Sequence, residues 1–321
     1  MSRAATLPTL LDRTAVLTMG VVAGFSIGLS FNAAGREEVA EWFFPGSSSA
    51  RPAPAAVPRP VAATAGTPEL TGPVDPRVVR RVAKDRHLRV GVFGDSFGDG
   101  LWDALYRTLP RDEGYDVFRF SKEATGFTRY RQIDLEERAR KQVGAQPIDV
   151  AVISYGLNDI QPIFAEGHLW PLLSDGWKRI IGERVDRFVA TVRSTGATVY
   201  WVGLPAMADP ALDAQGQAMN AYYADRARRL GVPYIDTRAT SVDAQGRYAA
   251  HLPDPKTGRM ELVRTPDGVH MIGVGYQRVT AGLLQRIRRY ATLARQSAGV
   301  TEPAASATAV PTGRLPRGAG Q

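Results

Sequence analysis

Five short apolar runs recur through the middle of the chain, and stretches with helical character separate them. The runs are "LRVGVF" (88–93), "YDVFRF" (115–120), "IDVAVISY" (148–155), "TVYWVGL" (198–204) and "PYID" (233–236). The intervening and following stretches cover 100–109, 134–143, 176–194, 212–230 and 275–293. In the third of these, Ile180, Ile181, Val185, Phe188, Val189 and Val192 fall on one helical stripe. The run at 148–155 is almost continuously apolar, as a strand is when both of its faces are covered. Strands that alternate with helices dictate an α/β fold, in which five parallel strands form a sheet with helices on both sides. Residues 237–265 interrupt this rhythm with Gly246, Pro253, Pro255 and Gly258, and an irregular excursion or a small ribbon is expected there.

The flanks differ in kind. Residues 15–34, "AVLTMGVVAGFSIGLSFNAA", carry no charge, and about twenty such residues suffice to cross a hydrocarbon core of about 30 Å. Arg3 and Arg13 precede the run, whereas Glu37 and Glu38 follow it, so 1–14 is expected in the cytoplasm and the remainder beyond the membrane. Small residues at Ala33, Ala34 and Gly35 permit cleavage, which would release the chain to the periplasm. Asn32 departs from the cleavage pattern and the run is long for a signal core, which favours an uncleaved anchor. A Pro/Ala-rich linker (35–77) and a disordered tail (298–321) are expected around one domain at 78–297.

Composition narrows the chemistry. There is no cysteine, which excludes disulfides, thiolate nucleophiles and cysteine-held zinc. The net charge is +8, and lysine occurs only at 84, 122, 141, 178 and 256, so arginine supplies most of the positive charge. The basic runs "RVVRR" and "RIRR" read as solvated helix faces, with contact to anionic lipid or polymer as the alternative. No nucleic-acid motif accompanies them. No His/Asp/Glu spacing suggests a metal site and no glycine loop cradles phosphate, so no cofactor is expected.

In a parallel sheet, functional side chains belong at the carboxyl ends of strands. The first strand ends at Gly94-Asp95-Ser96, and Gly126 sits in the loop after the second. The third ends at Gly156-Leu157-Asn158-Asp159, and Asp267-Gly268-Val269-His270 precedes the last helix. This set suits acyl transfer. A serine hydroxyl needs a base, which His270 supplies, and the imidazole needs an acceptor, which Asp267 supplies from three residues away. The developing oxyanion needs fixed donors: the Ser96 and Gly126 N–H groups and the Asn158 amide.

These four blocks resemble those of the SGNH, or GDSL, hydrolase superfamily, and more closely a bacterial cell-envelope branch of unsettled function. In that branch the serine block continues to Asp99-Gly100 and the asparagine block to Gln161. Phe97 departs from the leucine of the GDSL pattern while remaining apolar. The resemblance covers about 88–293 and implies a three-layer, flavodoxin-like fold. It implies Ser96 as nucleophile, His270 as base, Asp267 as its partner, and Ser96, Gly126 and Asn158 as the oxyanion hole, with Asp95 and Asp159 in support. His87, His168 and His251 have no partner pattern and read as structural.

The loop "IQPIFAEGHLWPLLSDGW" offers Gln161, Phe164 and Trp170 as candidate substrate contacts, with Trp177 nearby; its aromatic rings serve equally well as core. A membrane tether suits a large, immobile substrate. The expected activity is that of an exported serine esterase removing acetyl or other short acyl groups from an envelope or extracellular glycan. The alternatives are a glycan O-acyltransferase using the same site and a non-catalytic envelope scaffold or glycan-binding module.

Overall fold

The computed structural model describes residues 73–301 of the 321. The expected membrane segment (15–34), most of the linker and most of the tail lie outside the described residues. Among the described residues, no helix is long and apolar enough to cross a membrane.

The central sheet has five parallel strands: β1 (Leu88–Gly94), β2 (Tyr115–Arg119), β3 (Val150–Ser154), β6 (Thr198–Val202) and β7 (Tyr234–Ile235). Their order is β2-β1-β3-β6-β7. Val90 lies opposite Val117 on one side and Val150 on the other, Val150 opposite Thr198, and Trp201 opposite Tyr234. This is the flavodoxin-like order, which reverses direction between β1 and β3 and leaves a crevice at their carboxyl ends.

Side-chain alternation explains why the strands read as continuously apolar. Val90, Val92, Val150, Val152, Tyr200 and Val202 face one core cluster, with Val78, Leu101, Leu105, Val279 and Leu283. Phe93, Ala151, Ile153, Val199 and Trp201 face the other, with Ala139, Val185, Phe188 and Met219. Each inward position is claimed by one helical layer, so neither face keeps a polar alternation. The first layer is α1 (Pro76–Asp85), α2 (Ser96–Thr108) and α6 (Gly273–Ser297). The second is α3 (Leu135–Ala145), α4 (Asp175–Arg193) and α5 (Pro210–Arg229).

Local chemistry sets the helix starts. Asp75, Asp95, Asp134, Ser174 and Asp209 each accept a backbone N–H of the first turn, and proline occupies the first position of α1 and α5. Two boundaries differ from expectation. Helix α2 begins at Ser96 rather than at 100, because the Asp95 cap turns the glycine-rich cluster into a helical first turn. Helix α1 begins at Pro76, inside the segment read as linker, and it buries Val78 and Val82. The expected ribbon within 237–265 is β8 (His251–Pro253) paired with β9 (Met260–Leu262). A second ribbon, β4 (Ile163–Ala165) with β5 (His168–Trp170), has no counterpart in the sequence reading.

Candidate active site

Strand β1 delivers Ser96 to the first position of α2, where helical N–H groups have no partner within the helix. The turn that precedes α6 delivers His270 to the same place. Ser96 Oγ lies 2.8 Å from His270 Nε2, and His270 Nδ1 lies 2.7 Å from Asp267 Oδ2. With its proton on Nδ1 and directed at Asp267, the imidazole presents Nε2 as an acceptor for the serine O–H. Serine and histidine are 174 positions apart in sequence, and the fold makes them neighbours.

The histidine turn is heavily constrained. Asp267 Oδ1 accepts the N–H groups of Val269 (2.9 Å) and His270 (3.0 Å) and lies 2.6 Å from Thr265 Oγ1. Partial burial pushes the Asp267 carboxyl up. The hydrogen bonds from Thr265, His270 and Val269 outweigh that and hold it well below the usual carboxylate range. Gly268 takes φ +69°, and a Cβ there would sit 2.4 Å from the Ala208 side chain. Buried Arg264 clamps the turn from beneath by donating to the carbonyls of Val269 (3.2 Å), Ala206 (2.6 Å) and Ser241 (3.3 Å).

The other side of the crevice carries the donors. Asp95 is 1% exposed; it accepts the Phe97 N–H (2.9 Å) and the Asn158 side-chain amide (3.0 Å). One Asn158 amide proton is therefore committed, and the second is available to a ligand. Desolvation raises the Asp95 carboxyl to about 6, with the nearby Asp159 adding to the shift against the two hydrogen bonds. Asp159 is fully buried and accepts from Thr128 N–H (2.8 Å), Thr128 Oγ1 (3.0 Å) and Tyr223 OH (2.7 Å), fastening the Gly126 loop to the Asn158 loop. Burial raises its carboxyl as well. Gly126 is extended (φ −178°, ψ 165°), so backbone strain does not explain the glycine there. Proximity does: a Cβ would lie 2.5 Å from Asp159 Oδ1 and 3.4 Å from the Asn158 Cβ.

Ser96, His270, Asp267, Gly126, Asn158, Asp95 and Asp159 thus form one connected cluster. The candidate substrate contacts divide. Phe164 is 52% exposed. Gln161 turns inward and donates from Nε2 to Thr128 Oγ1 (2.9 Å) and the Asn158 carbonyl (2.7 Å). Trp170 packs over Gly176, where a Cβ would meet its ring at 2.1 Å, and stacks on His168. Trp177 is core, with Nε1 donating to the Gln161 carbonyl. Asp99 pairs with Arg119 and accepts from Ser121, bracing β2. His87, just before β1, meets Asp116 of β2 (3.1 Å), a pairing invisible in sequence. Arg264, Thr128 and Tyr223 support the cluster and carry no local signal; only Thr265, within the short "TPDG" turn, could have been suspected.

A parallel three-layer α/β sheet with a Ser–His–Asp chain on one side of its switch-point crevice and a Gly/Asn pair on the other defines the class of the SGNH, or GDSL, hydrolases. Within that class, residues 89–286 match the family model described as "Protein of unknown function (DUF459)", and the chain belongs to that family. Among solved structures it is similar to a GDSL-like lipase from Bacteroides thetaiotaomicron (17% identity, TM-score 0.44, covering 67% of this chain and 98% of that one). It is also similar to an aryl esterase from M. smegmatis (14%, 0.40, 63% and 99%). A third is a carbohydrate acetylesterase from Sinorhizobium meliloti (14%, 0.41, 63% and 99%). No curated protein matches the chain.

Proposed function

We propose that the protein is an exported serine esterase that removes acetyl or other short acyl groups from an envelope or extracellular glycan. The observation that carries the esterase reading is the unbroken hydrogen-bonded chain from Ser96 Oγ through His270 to Asp267. In the first half-reaction Ser96 Oγ attacks the ester carbonyl while its proton passes to His270 Nε2. The tetrahedral oxyanion is held by the N–H groups of Ser96 and Gly126 and by the free Asn158 amide proton. Collapse expels the sugar oxygen, which takes the proton from Nε2, and leaves acyl-Ser96. A water then attacks the acyl carbon, gives its proton to Nε2, and departs as the carboxylic acid when Ser96 regains its hydrogen. Asp267 stays ionised throughout and steadies the transient imidazolium.

Water as the acceptor is supported by the openness of the site: the His270 side chain is 33% exposed and that of Asp267 48%. Export rests on the uncharged run at 15–34 and its flanking charges. The test is hydrolysis of a short-chain aryl ester by the full-length protein. Wild type is expected to cleave it, and Ser96→Ala to lower kcat by about 10⁴-fold or more with an unchanged circular dichroism spectrum. Undiminished cleavage by Ser96→Ala would remove the mechanism.

A further inference from the structure

A groove of about 750 Å³ opens beside the two loops that carry Gly126 and Asn158, and no step of the chemistry above uses it. Thr128 and Gln161 form part of its lining, and Gln161 ties the pair to the Asn158 carbonyl. Its remaining walls include Arg129, Arg131, Arg184 and Phe164.

The three arginines differ from those around them. Arg140, Arg179 and Arg187, nearby on α3 and α4, are tied to Glu136, Glu137, Glu166 and Glu183. Among the described residues, none of the three groove arginines forms an ion pair, and only longer-range attraction links Arg129 and Arg184 to the buried Asp159 and Arg184 to Asp134. Arg129 donates to the Ala124 carbonyl (3.0 Å). Arg184 donates to the Phe127 carbonyl and lies 4.4 Å from the centre of the Tyr130 ring. Arg131 stands 5.4 Å from the centre of the exposed Phe164 ring. The one acidic side chain in the lining, Glu166, is itself engaged by Arg179. Guanidinium groups in this state bind planar oxyanions in a bidentate manner. An exposed aromatic face beside them offers an apolar platform to the C–H face of a sugar. Gln132 lines the same groove and supplies an amide for hydroxyl groups, while Gln161, its two amide protons committed, offers only its oxygen.

We propose that this groove binds a carboxylate-bearing sugar unit of the substrate, so that the acylated glycan is a polyanion of the uronate type. The proposal deepens the esterase reading and rests on it for the word substrate. The groove then holds the glycan against the loops of the oxyanion donors while a neighbouring ester reaches Ser96.

Binding is measurable without turnover. Trigalacturonate, neutral galactotriose and inorganic phosphate are titrated into the full-length protein by calorimetry at low and high salt. Trigalacturonate is expected to bind at least tenfold tighter than galactotriose at low salt, with the advantage shrinking as salt rises. The double variant Arg129→Gln/Arg131→Gln should lose at least tenfold of that affinity. Arg131 is exposed and Arg129 half-buried, and a thermal melt checks that the variant is folded. Equal binding of the two trisaccharides overturns the proposal, as does a preference that survives the double substitution. Inorganic phosphate that competes as well as trigalacturonate also overturns it, because the groove would then recognise a simple anion. The outcomes separate from those of the esterase: cleavage of an aryl ester without uronate preference sinks only the groove. Uronate binding without any ester cleavage sinks only the enzyme.

Discussion

Asp95 serves two partners with one buried carboxylate, capping α2 through the Phe97 N–H and fixing the Asn158 amide. Its proton affinity in the folded chain is raised to about 6 from an ordinary 3.8. Between those values the folded protein holds a proton that the unfolded chain has released, so stability falls as pH rises through the window. A shift of that size corresponds to roughly 3 kcal/mol. Asp95→Asn keeps a capping side chain and cannot ionise. Its stability relative to wild type should therefore improve by up to roughly 3 kcal/mol from pH 4 to pH 7. Urea unfolding midpoints across that range measure this, and a constant difference would contradict it. Asn158→Ala removes the amide that serves both the buried Asp95 and the developing oxyanion. It is expected to lower kcat for an aryl ester by roughly 10²–10³-fold with little change in KM, read from steady-state kinetics. At this scale the sequence displays the reacting groups and hides their supports. Ser96, Asn158 and the Asp267–His270 pair sit at strand or helix ends, where the pattern exposes them. Tyr223 reaches Asp159 from 64 positions away, and Arg264 reaches the Ala206 carbonyl from 58, so neither leaves a local trace.

Among the elements, those with a continuous buried face are the ones that periodicity reveals. Helix α4 buries eight residues in a helical pattern, and β3 is buried throughout, so both stand out as residue patterns. Strands β4 and β5 have three residues each and only one buried side chain between them, which leaves their pairing without an alternation to detect. The loop after β2 is a second case, because its conformation depends on Asp159 rather than on its own residues. Gly126→Ala tests that dependence. The added methyl meets a carboxylate pinned by Thr128 and Tyr223, so the loop must move instead. A displacement near 1 Å is expected to cost about 10²-fold in kcat while the thermal midpoint changes little. A variant with full kcat would show that the loop tolerates the shift.

For the whole molecule, the amino-terminal limit of the folded unit decides which fragments survive. Helix α1 lies over the sheet through Val78 and Val82, and Arg81 meets the buried Asp149 at 2.7 Å. A fragment starting at residue 73 is expected to fold cooperatively. One starting at residue 88 loses two buried valines and the partner of an interior carboxylate, at a combined cost of at least about 3 kcal/mol. Comparing their denaturant midpoints checks this, and equal midpoints would refute it. The linker bound at 77 overlaps α1 by two residues, because proline is as much at home at the first position of a helix as in a linker.

The attacking hydroxyl and its base come from opposite ends of the folded unit, joined by a single contact between residues 174 positions apart. A polypeptide emerging amino end first therefore displays its serine long before the imidazole exists to activate it. Until His270 has been made and brought to Ser96, the serine is chemically mute. Any ester that meets the unfinished chain stays intact.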